Sequence, residues 1–249
     1  MRLIFEQHSQ TKIHGRKHKL FRDSSLIKEK EDNSMTFQNQ TMKIHSSYNN
    51  SVSIKVIPGH FATNHSHITH YIDMTTLKSR QSMARSAARS IAGEYVGSTI
   101  VDTIICMDGT EVIGSYLAEE LTSSGIVSMN QHQTMYIVTP EFNSVGQMIF
   151  RDNLQHMIKG KHVLLLLASA TTGRTIERSL ECIDYYGGII AGISAIFSAS
   201  QMIAGQKIHT LFKMEDIPEY KTYPHNQCPY CQSGKKIEAI VNSYGYSTL

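Results

Sequence analysis

An apolar run from Val163 to Ala170, interrupted only by Ser169, within "KHVLLLLASA", constrains this chain more than any other feature. It falls well short of the ~20 residues that a membrane-spanning helix needs. It is also apolar at consecutive positions rather than alternate ones, so it must be buried on both faces, as a strand in a helix-covered parallel sheet is. The pattern recurs in "TIVDTIICM" (99–107), "TMYIVTP" (134–140) and "IIAGISAIFSAS" (189–200). Between these runs, "TEVIGSYLAEELTSSG" (110–125), ended by Gly125, and "TIERSLECIDYYGG" read as helices. Strand, helix, strand, helix, strand predicts an α/β fold with an open, mainly parallel sheet flanked by helices.

Upstream, "VSIKVIPGHF" reads as a short strand ending at Pro58-Gly59, and "HITHYIDM" as a second, with a His-rich turn between them. Residues 75–96 carry Leu77, Met83, Ala84, Ala87, Ala88, Ile91 and Tyr95 at roughly the spacing of one helical face, which predicts an amphipathic helix. Residues 1–50 keep no period for long and are expected to be mostly disordered; with Met35 and Met42 near their end, they also fit an upstream mis-set start. Three units follow: this extension (1–50), an α/β domain with a small N-terminal hood (51–215), and a tail (216–249).

At 249 residues, with 41% hydrophobic and 18% charged residues, the chain can bury one sizeable core. The net charge of +3 is concentrated at the start, where residues 1–30 hold eight Lys/Arg against three Asp/Glu. The remaining residues are slightly acidic, which argues against nucleic acid as the partner, and the absence of a long apolar segment argues against a membrane. Four cysteines without a secretory leader point to a reducing, cytoplasmic setting.

In open α/β sheets ligands bind beyond the carboxyl ends of the strands, so the loops after Met107, Pro140, Ala170 and Ser200 are the places for chemistry. The sharpest is Thr171-Thr172-Gly173-Arg174-Thr175, between a buried strand and a helix. Small hydroxyl residues and a glycine there let backbone amides and a helix N-terminus converge on a phosphate, although a Thr-capped helix start has the same composition.

"VLLLLASATTGRT" resembles the phosphoribosyl-pyrophosphate loop of type I phosphoribosyltransferases, and the chain is most similar to the orotate phosphoribosyltransferases. "GHFATNHSHITHYIDM" resembles that family's hood, "VDTIICMDGTEVIGSYLAEEL" its strand, pyrophosphate loop and helix, and "MYIVTPEFN" the strand before its mobile catalytic loop. The resemblance spans roughly residues 52–200 in the family's order. It implies transfer of ribose 5-phosphate from phosphoribosyl pyrophosphate to a nitrogenous base, with Mg²⁺ as cofactor and a homodimer as the assembly. It further implies that Thr171 to Thr175 hold the 5-phosphate and that Met107, Asp108 and Gly109 line the pyrophosphate. Phe61, His67 and Tyr71 would shape the base pocket. Asp73, Asp108 and Arg151 are the candidate catalytic groups, and Glu111 is a further carboxylate.

Two departures stand out. The family's acidic pair falls on Leu167 and Ala168, which cannot hydrogen-bond ribose hydroxyls, and the strand end Thr139 to Asn143 lacks the family's catalytic-loop cations, leaving only Arg151. A non-catalytic nucleotide or phosphoribosyl-pyrophosphate sensor on the same fold is therefore the alternative.

The tail contributes "HNQCPYCQSGKK", in which Cys228 and Cys231 form a Cys-x-x-Cys knuckle, half of a tetrahedral zinc site. The missing ligands have candidates in His225, Cys106, the cluster His60, His65, His67 and His70, or a second subunit's knuckle. A turn with free thiols and a redox pair are the other readings of the same spacing. Cys106 and Cys182 are expected in the core.

Overall fold

A computed structural model describes residues 40–249, with positions 124, 132 and 145 excepted. Expectations for residues 1–39, including the start at Met35, lie outside the described residues.

The central sheet is built from β4 (Thr103–Cys106), β5 (Tyr136–Val138), β8 (His162–Ala170), β9 (Ile189–Ser198), β10 (Met202–Ile203) and β11 (Gln206–Lys213). Its spatial order is β10-β11-β9-β8-β4-β5. All pairings are parallel except β10 with β11. The helices are α1 (Thr75–Ser79), α2 (Gln81–Ala92), α3 (Glu111–Ser123), α5 (Arg174–Tyr185) and the one-turn segments α4 (Asp152–Gln155) and α6 (Pro229–Gln232).

The strands carry apolar residues on both faces because both faces are covered. From β8, Leu164, Leu166 and Ala168 enter one buried cluster, while Val163, Leu165, Leu167 and Ala170 enter another. Strand β4 divides likewise, with Ile104 and Cys106 on one side and Ile105 on the other. The first cluster is closed by α2, through Ala84, Ala87, Ala88 and Ile91, and by α3, through Ile113, Leu117 and Leu121. Ile176 and Ile183 of α5 close the second. This is the doubly covered α/β arrangement expected from the apolar runs.

A second sheet forms the hood. It comprises β1 (Met42–His45), β2 (Ser53–Ala62), β3 (His67–Asp73), β12 (Thr222–Tyr223), β13 (Ala239–Asn242) and β14 (Gly245–Thr248), in the order β12-β3-β2-β13-β14 with β1 also paired to β2. A two-stranded ribbon of β6 (Glu141–Phe142) and β7 (Met148–Ile149) completes the described strands.

Several boundaries differ from the sequence reading. Strand β2 does not stop at Pro58-Gly59 but continues to Ala62, with an irregularity between Pro58 and Phe61 that accommodates the proline. The helix expected over 75–96 is two helices, broken where Arg80 is extended (φ −83°, ψ 116°). Residues 42–45 pair with β2, so the expected disorder does not extend through residue 50. Residues 216–249 are not a separate tail: β12 pairs with β3 and β13 lies parallel to β2, so the hood is made from both ends of the described chain.

Strand β9 shows how tightly the layers approach. Tyr95 is buried, and its hydroxyl lies 2.7 Å from Ser194 Oγ and donates to Ile193 O at 3.1 Å. Its ring lies against Gly192, where a Cβ would come within 2.5 Å of the ring carbon Cε1. Gly192→Ala should therefore overpack this contact and lower stability by about 1–3 kcal/mol, measured by urea unfolding.

Candidate functional site

The strand order reverses between β4 and β8: from β4 the chain moves outward to β5, whereas from β8 it moves outward through β9 to β11. At such a switch point the loops leaving the two adjacent strands diverge and leave a crevice. The loop after β4 carries Asp108, and the loop after β8 carries Thr171, Thr172 and Gly173. All four line one cavity of about 240 Å³, roofed by the hood through the β2–β3 turn (Thr63 to His65) and the β13–β14 turn (Asn242, Ser243).

The loop after β8 is shaped by Gly173. Its φ of 77° lies in the left-handed region, and a Cβ there would fall 2.9 Å from Ile203 Cδ1, so backbone conformation and packing both demand glycine. Gly173 is the N-cap of α5, and no side chain caps that helix end. The positive end of a twelve-residue helix thus faces the cavity beside the hydroxyls of Thr171, Thr172 and Thr175, which suits an anion. Arg174 is exposed at the first helical position and does not line the cavity.

The loop after β4 is held by groups that the sequence did not single out. Buried Thr110 donates its hydroxyl to Met107 O at 2.8 Å and Leu166 O at 3.2 Å, joining the loop to β8. Asp108 and Gly109 both have positive φ, 60° and 76°. Lys78 of α1 is buried, and its ammonium donates to Asp108 O and Ser243 O, both at 2.6 Å. It therefore ties the β4 loop to the hood's β13–β14 turn. Burial holds the Lys78 pKa below its usual value, against the pull of Asp108, Glu111 and Asp73. Nothing in the local pattern of residues 75–79 marks Lys78 as buried; only its position opposite Asp108 and Ser243 does.

Asp108 is the one carboxylate among the described lining residues, and no Lys or Arg lines the cavity with it. Burial pushes its pKa up, opposed by a hydrogen bond from Ser243, by Lys78 and by the Ala168 backbone N–H. Leu167 and Ala168, where the resemblance calls for acids, are both fully buried.

The remaining candidates are dispersed. Tyr71 lines the cavity, with its ring 5.4 Å from that of Tyr246 and its pKa raised to about 12 by burial. Phe61 does not reach the cavity: it is buried in the hood core, 6.1 Å from the Tyr71 ring. His67 points elsewhere, into a cluster described below. Asp73 accepts the Thr75 backbone N–H at 2.9 Å at the start of α1 and is not a lining residue. Arg151 is exposed and ion-paired to Glu141 at 2.6 Å, also off the cavity. Met107 is buried, whereas Gly109 places its missing Cβ 3.5 Å from Lys78 Nζ.

A second group flanks the β2–β3 turn of the hood hairpin. His60, His67, Cys228 and Cys231 offer one ligand atom each, all within 4.8 Å of one another. His60 Nε2 is 3.1 Å from His67 Nδ1, 3.4 Å from Cys228 Sγ and 3.7 Å from Cys231 Sγ; His67 Nδ1 is 3.3 Å from Cys231 Sγ. Burial, His60 and His225 together lower the His67 pKa. Of the other candidates, His225 stacks beside His67 and approaches Thr63 O at 3.2 Å, while buried Cys106 lies against α3 at Gly114.

The chain is similar to the type I phosphoribosyltransferases, most to those acting on orotate. It is 27% identical over 97 residues to an orotate phosphoribosyltransferase of Thermus thermophilus, a stretch covering 38% of this chain and 50% of the relative. It thus spans about half the length of the curated relatives it matches. No protein-family model matches the chain. Among solved structures, the UMP synthase of Leishmania donovani superposes with a TM-score of 0.46 at 17% identity, covering 72% of this chain and 36% of that one. An adenine phosphoribosyltransferase from Trypanosoma brucei, in complex with AMP, pyrophosphate and ribose-5-phosphate, superposes with a TM-score of 0.46 at 12% identity over 75% of this chain and 81% of that one. Among the described residues no helix is long and apolar enough to cross a membrane.

Because Lys78 satisfies two carbonyls with one buried ammonium, Lys78→Met should cost about 1.5–3 kcal/mol of stability in chemical denaturation. A loss below ~0.5 kcal/mol would mean that the loop and the hood turn hold together without it.

Proposed function

We propose that this protein is phosphoribosyltransferase-like and binds a ribose 5-phosphate unit in the cleft between the sheet and the hood. In this reading Thr171 to Thr175 receive the 5-phosphate at the N-terminus of α5, and Met107 to Gly109 flank the pyrophosphate. Asp108 is the carboxylate that faces Mg²⁺ or the ribose hydroxyls, in place of the acids absent at Leu167 and Ala168. The observation that carries the reading is the meeting of the uncapped α5 terminus and Asp108 in one cavity at the sheet's switch point.

Transfer would break the bond between the ribose anomeric carbon and pyrophosphate and form one to a ring nitrogen of the base. Mg²⁺, when bound, would supply charge neutralisation of the departing pyrophosphate. The chain's own part is to fix the 5-phosphate by backbone amides and to stack the base-bearing end against the apolar wall of Ile68, Tyr71 and Phe197. The orotate relatives favour a pyrimidine precursor as the acceptor.

One observation favours a binding protein without turnover. No Lys or Arg lines the cavity among the described residues, and Arg151 is engaged by Glu141 outside it. A missing preorganised charge commonly costs ~10²–10³ in rate.

Calorimetry with phosphoribosyl pyrophosphate and Mg²⁺ tests the common core of both readings. Binding is expected, and Thr172→Glu, at an exposed position, should weaken it at least ~10-fold by placing a carboxylate where the phosphate sits. Heat unchanged by that variant, or no heat at all, would remove the cleft as a phosphoribosyl site. Pyrophosphate release with orotate, uracil or purine bases would then separate transferase from sensor.

The raised Asp108 pKa sets a pH dependence. Ligand affinity that needs its carboxylate should fall as pH drops, with a midpoint above the ordinary aspartate value of ~3.9. In Asp108→Asn that pH-dependent component should vanish, which a calorimetric pH series would read directly.

A further inference from the structure

The four-residue group in the hood has the donor set and the close spacing of a tetrahedral zinc site. With Zn–N near ~2.0–2.1 Å and Zn–S near ~2.3 Å, a tetrahedral Cys₂His₂ zinc has N···N edges of ~3.3 Å and N···S edges of ~3.6 Å. The observed N···N separation is 3.1 Å, three of the four N···S separations are 3.3, 3.4 and 3.7 Å, and all the ligand atoms lie within 4.8 Å of one another. Four groups on three segments therefore converge closely enough to share one ion. Three of the four residues are buried.

The surroundings select the ligand atoms. His60 Nδ1 lies 2.9 Å from Lys235 O and 3.1 Å from Lys236 O. Carbonyl oxygens only accept, so Nδ1 carries the proton and Nε2 presents its lone pair to the cluster, the outer-shell bond that metal-binding histidines make. His67 pairs with Ala62 across the β2–β3 hairpin, and His60, within the irregular stretch between Pro58 and Phe61, reaches it with Nε2 at 3.1 Å. Cys228 precedes α6, with Pro229 at its first position, and Cys231 sits one short turn later. The chain then reverses through Gly234 at φ 76° to bring the Lys235 and Lys236 carbonyls back to His60. The edge of the Tyr230 ring packs on His60, with centroids 5.3 Å apart.

We propose that His60 Nε2, His67 Nδ1, Cys228 Sγ and Cys231 Sγ form a structural zinc site that fastens the C-terminal knuckle to the hood hairpin. Two thiolates neutralise the dication, and four protein ligands complete the tetrahedron, leaving no position for water or substrate. The site's task is mechanical. His67 follows the β2–β3 turn whose residues Thr63 to His65 wall the cleft, and the knuckle leads into β13, whose following turn supplies Asn242 and Ser243. One ion thus joins the two chain segments that roof the cavity. Cys228 and Cys231 are both free thiols, as metal ligation requires.

The test is metal analysis of the full chain, purified under reducing conditions and reconstituted with Zn²⁺, alongside Co²⁺ substitution. One zinc per chain is expected, together with the intense visible absorption of tetrahedral Co²⁺ bearing two thiolates. Cys231→Ser, at the one exposed ligand, should weaken zinc at least ~100-fold in competition with a chromophoric chelator, and His67→Asn should do the same without touching the cysteines. Chelation should lower the thermal midpoint of the wild type and leave that of Cys231→Ser nearly unchanged. A wild-type chain with well under one zinc, a six-coordinate Co²⁺ spectrum, or zinc affinity intact in both variants would overturn the site. A thermal midpoint indifferent to chelation would overturn its structural role. None of these readouts uses phosphoribosyl pyrophosphate, so the result stands or falls apart from the cleft's ligand.

Discussion

The pairing of β4 with β8 is the contact on which the rest of the molecule depends. Its register sets Cys106, the last residue of β4, opposite Leu166, while β8 runs on to Ala170, so the β4 loop turns alongside the final residues of β8. Thr110 reinforces this by bonding the β4 loop to Leu166 O from a fully buried position. Because the chain turns opposite ways from these two strands, no crossover helix covers the gap between them. The cleft is a consequence of chain direction before it is a consequence of any side chain.

The hood closes that gap, and its construction joins distant parts of the chain. Residues 53–73 supply the hairpin, and residues 222–248 add strands on both of its sides. Two polar devices secure the join. On the cleft side, the Lys78 ammonium bridges the β4 loop and the β13–β14 turn. Beside the β2–β3 turn, two histidines of the hairpin meet two cysteines of the knuckle. Both place polar groups in buried surroundings, which is costly unless every group is partnered. The partners are carbonyl oxygens in the first case and convergent soft ligands in the second.

The electrostatics of the cleft differ from those expected of a site for a highly charged ligand. Its positive potential comes from the backbone of the α5 terminus and from Lys78 behind Asp108, with no Lys or Arg among its described lining residues. Oriented amides hold an anion with little reorganisation but contribute less charge than guanidinium groups. Asp108, held partly desolvated by its neighbours, places a carboxylate in the same cavity.

Much of the fold was legible in the sequence because its signals are local. Apolar runs long enough for a strand and too short for a membrane marked β4, β8 and β9, and Thr171-Thr172-Gly173 marked the cavity-lining loop after β8, whose glycine is demanded by a φ of 77°. The Cys228 and Cys231 spacing marked a knuckle that could offer two metal ligands, without naming the histidines that stand beside it. What the sequence could not determine was set by long-range pairing. Strand β11 and the hood strands β12 to β14 carry weak local patterns and gain their burial only from partners far along the chain. Phe61 and His67, expected at the base, turn into the core and the Cys/His cluster because strand pairing fixes which face each side chain takes. Periodicity and turn chemistry are properties of neighbouring residues. The choice of His60 and His67 among six candidate partners, and the burial of Lys78, belong to contacts that exist only once both ends of the hood have met.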